Sequence, residues 1–156
     1  MASTVSAATM TVKITEEISL NGTEQGSTNT LKLKEINEIS KRIVTVPTSE
    51  VEIVAMSTVV SSGTFLEGNV RYIRITNLDD TNHVTLTFKN ESDDEFAVKL
   101  DYGQSFIYNG DLSGGVVDTM DAIDGTGLTL SLADLVNITA LANTAACDLE
   151  VFVASV

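Results

Sequence analysis

Between Val70 and Asn109 apolar and polar residues alternate with a period of two, and that alternation constrains the fold more than any other feature of the chain. His83–Lys89 sets Val84, Leu86 and Phe88 against His83, Thr85 and Thr87, and Glu95–Asp101 turns Phe96, Val98 and Leu100 the same way. Successive side chains of an extended strand point to opposite sides, so this spacing fits strands with one buried face and no helix. Val70–Asn77 is another such run, and Ser105–Tyr108 follows after Gly103. Polar breaks at Asn77-Leu78-Asp79-Asp80 and at Asn90–Asp94 divide the block. Breaks this short predict hairpins, so these strands are expected as sequential neighbours in one antiparallel sheet.

The flanking sequence extends the pattern. Val12, Ile14, Ile18 and Leu20 alternate with polar residues up to the turn signal Asn21-Gly22, with Gly26–Asn29 read as further loop. Leu31 and Leu33 mark a second strand, and Glu35–Ser40 reads either as one helical turn or as a bulge. Ile43–Val46 ends at Pro47, whose ring cannot donate to a ladder. Val51–Val60 is apolar enough for a strand buried on both sides. Asn109–Gly127 is rich in Gly and Asp and lacks periodicity, so it is expected as a long loop of the kind that often binds something. Leu128–Leu141 is assigned to strand, although Leu132, Leu135 and Val136 also suit helical spacing. Asp148–Ala154 closes the chain with Leu149, Val151 and Val153 on one face. About nine or ten short strands with almost no helix predict an all-β antiparallel sandwich or jelly-roll-like fold, which limits exposed edges by packing sheets face to face. The Ala/Ser/Thr-rich residues 1–10, without the charged and apolar regions of a signal peptide, are expected as a flexible N-terminal arm on a single domain of residues 11–156.

Charge and composition exclude several functions. Twenty-two acidic against 9 basic residues give a formal net charge of -13, a field that repels nucleic-acid phosphates and anionic membranes. Trp is absent and Tyr numbers 3, too few for the aromatic platforms on which sugar clefts usually rely. The single cysteine, Cys147, rules out an intrachain disulfide and reads as a small buried hydrophobe. His-dependent nucleophilic catalysis would have to combine His83 with Ser105 or Cys147, and neither stands in a nucleophile-elbow context. No glycine-rich phosphate loop is present, and the Gly-rich loop carries acids that would repel phosphate. The sequence therefore reads as non-enzymatic and without a cofactor.

The acids raise the question of calcium. Asp118, Asp121 and Asp124 are spaced three apart before Gly125, whereas an EF-hand uses alternate positions and a final Glu. Asp79, Asp80, Asp93, Asp94 and Glu95 fall in neighbouring turns expected at one end of the sheet, where a nonstandard hard-cation site would be conceivable; acidic turns are more often simply solvated, and no metal site is assigned. Asn21, Asn90 and Asn137 begin glycosylation sequons, read as chance matches in an Asn- and Thr-rich chain. Arg71 and Arg74 flank Tyr72 on one strand amid the negative excess. They are expected either to pair with acids such as Asp79, Asp101 or Glu95 or to serve an intersubunit contact, where Arg and Tyr are enriched. Arg71, Tyr72 and Arg74, with Asp118, Asp121 and Asp124 of the loop, are the candidate interface residues.

Val70-Arg-Tyr-Ile-Arg-Ile-Thr-Asn77, Val84-Thr-Leu-Thr-Phe88, Phe96-Ala-Val-Lys-Leu100, Gly103-Gln-Ser-Phe106 and the ending Ala145-Ala-Cys-Asp-Leu-Glu-Val-Phe-Val153 resemble small virion proteins of tailed bacteriophages. The resemblance covers about a third of the chain and carries no catalytic residues. It implies a β-sandwich or jelly-roll protein of the virion, assembled in the host cytoplasm. The role implied is capsid decoration (cement), gripping the major capsid protein or other virion proteins as a homo-oligomer, with trimers favoured. A tail, baseplate or fibre component is the alternative, and a carbohydrate- or receptor-binding sandwich using the Asn109–Gly127 loop is a rival of a different class.

Overall fold

A computed structural model describes residues 4–110, 112, 115 and 132–156. The described chain is all-β. Two strands, β1 (Ala8–Glu16) and β4 (Ser27–Ile36), form a long antiparallel hairpin tipped by the short pair β2 (Ser19–Leu20) and β3 (Thr23–Glu24). The body follows: β5 (Glu38–Val46), β6 (Val51–Ser57), β7 (Phe65–Leu66), a single 3-10 turn at Glu67–Asn69, β8 (Val70–Asn77), β9 (Val84–Asn90), β10 (Glu95–Leu100), β11 (Ser105–Asn109), β12 (Leu135–Ala142) and β13 (Cys147–Ser155).

These body strands make two sheets, one ordered β11-β8-β13-β5 and the other β10-β9-β12-β6-β7. All pairings are antiparallel except the short parallel β6–β7. The pairing is nested: β9 with β10, β8 with β11, β6 with β12 and β5 with β13, so one long ribbon is folded across both sheets. The period-two residues meet between the sheets. Val46, Ile53, Met56, Ile73, Ile75, Val84, Leu86, Phe88, Ile138, Leu149, Val151 and Val153 are all buried in one core. Phe88 is fully buried within a cluster of rings, with Phe96 stacked 4.7 Å away and Phe106 and Tyr108 of the opposite sheet at 5.0 and 5.5 Å.

Several sequence expectations change. The strands of the 70–109 block do not share one sheet: β9 and β10 form a hairpin in one, while β8 and β11 pair in the other. Sheets pack about 10 Å apart, a gap that a four-residue connection spans as easily as it closes a hairpin. Gly26–Asn29 is strand rather than loop from Ser27 onward. Glu35, at φ 62°, is part of a bulge between β4 and β1, which resolves the helical-turn alternative. Val51–Val60 is strand only to Ser57, and Val59 and Val60 are exposed. Of the expected arm 1–10, residues 8–10 are the opening of β1. Asn109–Gly127 lies largely outside the described residues. Its start is tethered at Gly115, φ 72°, where a Cβ would come within 2.3 Å of the Glu67 carbonyl oxygen.

Two buried asparagines explain where strands end. Asn77 closes β8: its Nδ2 donates to the carbonyls of Asn82 (2.9 Å) and Leu100 (3.2 Å), and its Oδ1 accepts from the Asp79 amide at 3.0 Å. Asn90 closes β9, its Oδ1 accepting from the amides of Ser92 (3.0 Å) and Asp94 (2.9 Å). Each side chain replaces ladder bonds that the turning backbone gives up.

Candidate functional site

The strand Arg71–Arg74 lies at the middle of the β11-β8-β13-β5 sheet, and the long hairpin covers part of that sheet's outer face. Ile73 and Ile75 point into the core, so Tyr72, Arg74 and Thr76 point outward. Arg71 breaks the alternation. Tyr72 opposes Ala154 and Val70 opposes Ser155, which leaves Arg71 as the extra residue of a bulge. Its guanidinium donates to the Gly68 carbonyl at 2.8 Å.

Tyr72 is buried beneath the hairpin in a second small core with Leu33, Ile36 and Ala154, flanked by Met10, Val12, Leu31, Ile107 and Phe152. It meets Phe152 edge-on, with ring centroids 6.0 Å apart. Burial raises its phenol above the ordinary range, opposed by the nearby Arg74 charge. A two-stranded hairpin alone is marginal in water. This apolar floor is what holds its proximal half.

Arg74 sits directly opposite Phe152, with its guanidinium 5.9 Å from the ring centroid. It reaches diagonally to Glu150 and also donates to Thr76 Oγ1. Lys41 of β5 is likewise opposite Phe152 and approaches Glu150 at 3.1 Å. Both cations favour the ionised carboxylate, and Arg74 foremost holds Glu150 below the usual carboxylate range. The expected ion pairing of Arg74 thus exists with a different acid. Lys99 approaches Asp101 and Lys89 approaches Glu95 instead, and the fold brings β13 alongside β8.

The acidic turns separate. Asp79 and Asp80 precede β9 and Asp93 and Asp94 follow it, so the sites expected at one end of the sheet lie at opposite ends of a seven-residue strand, about 20 Å apart. Asp79 accepts from the amides of Thr81 and Asn82 at 2.8 and 2.6 Å, which lowers its pKa, and Asp93 pairs with Lys89 at 2.9 Å. Among the described residues, no group of three or more His, Cys, Asp or Glu could hold a metal ion. Asp118, Asp121 and Asp124 lie outside the described residues, so the structure neither joins them to Arg71, Tyr72 and Arg74 nor separates them.

The nucleophile candidates have structural surroundings. Cys147 is buried in the core, where burial and the Asp79 carboxylate push its thiol pKa up, the wrong direction for a thiolate. Ser105 Oγ lies 2.7 Å from Thr76 Oγ1 on the surface. Of the sequon asparagines, Asn90 is buried and Asn137 is half-buried in β12, its Nδ2 donating to Glu52 at 3.2 Å, while Asn21 is exposed in the hairpin turn.

Sequence reasoning missed one cluster. Glu67 of the 3-10 turn is buried beside Asp134, with Glu91 nearby. Burial, then repulsion from these two acids, raises its pKa, and it shares a hydrogen bond with Asp134. Three acids from sites so distant in the chain carry no local signature. No protein-family model, curated protein or solved structure matches this chain.

Proposed function

We propose that the chain is a non-enzymatic structural protein of a tailed-phage virion, a capsid decoration protein that acts through protein–protein contacts. The nested strand pairing supports a jelly-roll reading of the two-sheet body, an architecture used by capsid domains. One observation carries the functional reading. A hairpin of residues 8–36 leaves the body and exposes almost all of its distal half, an arrangement suited to gripping a neighbouring protein. The charge of -13 and the phage-like strand motifs add to it. The partners proposed are the major capsid protein or other virion proteins, together with further copies of the chain.

Mass spectrometry and electron microscopy of purified virions test the proposal. Stoichiometric occupancy at capsid lattice axes is the expected result. A few copies confined to one vertex or to the tail would replace decoration by a tail role, and absence from virions would end the reading altogether.

A further inference from the structure

The dipeptide Asn-Gly occurs twice in the chain, at Asn21-Gly22 and at Asn109-Gly110. It is chemically distinctive. The backbone nitrogen that follows an asparagine can attack the side-chain carbonyl carbon and close a five-membered ring. Glycine hinders that attack least, because it carries no Cβ and its backbone turns freely. The fold places the two copies in different surroundings.

Asn21 and Gly22 form the loop at the tip of the hairpin, at φ 51° and 78°, as a type I′ turn requires. Both are exposed, and nothing lies within 4 Å of the place a Gly22 Cβ would occupy. The ladder behind them has only two rungs, Ser19 opposite Glu24 and Leu20 opposite Thr23. Rotating the Asn21–Gly22 peptide to bring its nitrogen onto the side chain therefore breaks little. Asn109 differs. It ends β11 opposite Tyr72, and the Gly110 amide donates to the Arg71 carbonyl at 3.4 Å. A Cβ at Gly110 would lie 2.2 Å from the Gly115 carbonyl oxygen and 3.0 Å from that of Val70. Here the nitrogen is engaged and the backbone enclosed.

We infer that Asn21 is a site of spontaneous deamidation, a chemical clock in the hairpin tip, and that the fold shields Asn109 from the same reaction. The Gly22 nitrogen gives its proton to hydroxide and bonds to the Asn21 side-chain carbonyl carbon. The bond from that carbon to Nδ2 breaks, and the departing nitrogen takes a proton from water and leaves as ammonia. Water then opens the cyclic imide at one of its two carbonyls. One opening restores the backbone and gives aspartate; the other routes the backbone through the side chain and gives isoaspartate. Water is the only co-reactant. Either product adds a negative charge to a tip that already carries Glu17 and Glu24. Isoaspartate also lengthens the backbone by one carbon, which a two-residue turn cannot absorb while keeping the Leu20–Thr23 rung. The altered tip belongs to the hairpin proposed above to grip a neighbour, but the reaction stands on the turn alone.

Peptide mapping by mass spectrometry tests this on the purified chain aged in mildly alkaline buffer, with a parallel sample in denaturant. The Asn21 peptide should gain the mass that separates an amide from an acid and split into aspartate and isoaspartate forms. Its rate should rise in proportion to hydroxide. In the folded chain Asn109 should react about tenfold more slowly, because the Gly110 hydrogen bond must break first, and in denaturant the two rates should converge. In the isoaspartate form the Gln25 amide, bonded to the Ile18 carbonyl at 2.9 Å, should lose protection from hydrogen exchange while those of β8 and β9 keep theirs. Asn21→Gln, whose longer side chain closes a ring far more slowly, should abolish the mass gain. An Asn21 that folding slows as much as Asn109 would overturn the inference. So would rates that stay apart in denaturant, which would assign the difference to flanking sequence and not to the fold.

Discussion

Replacing Phe88 by Ala should remove the keystone between the two sheets without touching the surface. The ring is fully buried and contacts Phe96 of its own sheet and Phe106 and Tyr108 of the other. Truncation costs the transfer free energy of the ring plus a cavity term, together about 3–5 kcal/mol when neighbours relax only partly. The stacked partners lose contacts worth about 0.5–1.5 kcal/mol per pair, already contained largely within that figure. For a chain near this length each kcal/mol moves Tm by about 2–4 °C, so a fall of about 10 °C is expected. In urea the midpoint should drop while the slope stays constant, because the surface exposed on unfolding hardly changes. A loss below about 1 kcal/mol would refute the reasoning, since Phe88 would then not be enclosed by both sheets.

Two further outcomes depend on pH. Glu67 has its folded pKa raised, so its contribution is most favourable below its unfolded pKa and is lost as pH rises through the folded value. Glu67→Gln should therefore raise Tm at neutral pH, with the gain vanishing in acid, as calorimetry across a pH series would register. Glu150 behaves oppositely: its pKa is depressed, so its contribution is present above the unfolded pKa and disappears as pH falls through the folded one. Glu150→Gln should lower Tm at neutral pH, more in low salt than in high salt, and should make no difference in strong acid.

Much of the fold was legible because one signal, period-two alternation, is local. Val84-Thr-Leu-Thr-Phe88 needs no knowledge of the rest of the chain to be a strand, and its inward face was readable with it. The division of strands between sheets was not local. The break at Asp101–Gln104 and the break at Glu91–Asp94 are equally short, yet one crosses between sheets and the other closes a hairpin. The same limit hid the candidate site. Arg74 was visible as an unusual cation, but its partner Glu150 lies 76 residues away and becomes a neighbour only through the β8–β13 pairing. The hairpin was foreshadowed by Asn21-Gly22, both at positive φ in the turn, whereas its seating on Tyr72 and Phe152 depended on the far end of the chain.

That seating imposes an order of assembly. The floor beneath β1 and β4 includes Phe152 and Ala154 of β13 and the adjoining Val156, far along the chain from the hairpin they support. The ribbon that encloses it also closes outward, from a four-residue turn between β9 and β10 to the pairing of β5 with β13 across most of the chain. Contacts so distant in sequence carry a large loop-closure entropy and slow folding. The hairpin, which precedes β13 in the chain, cannot seat fully until that strand is in place. Until then Met10, Val12, Leu31 and Leu33 have no surface of their own to cover.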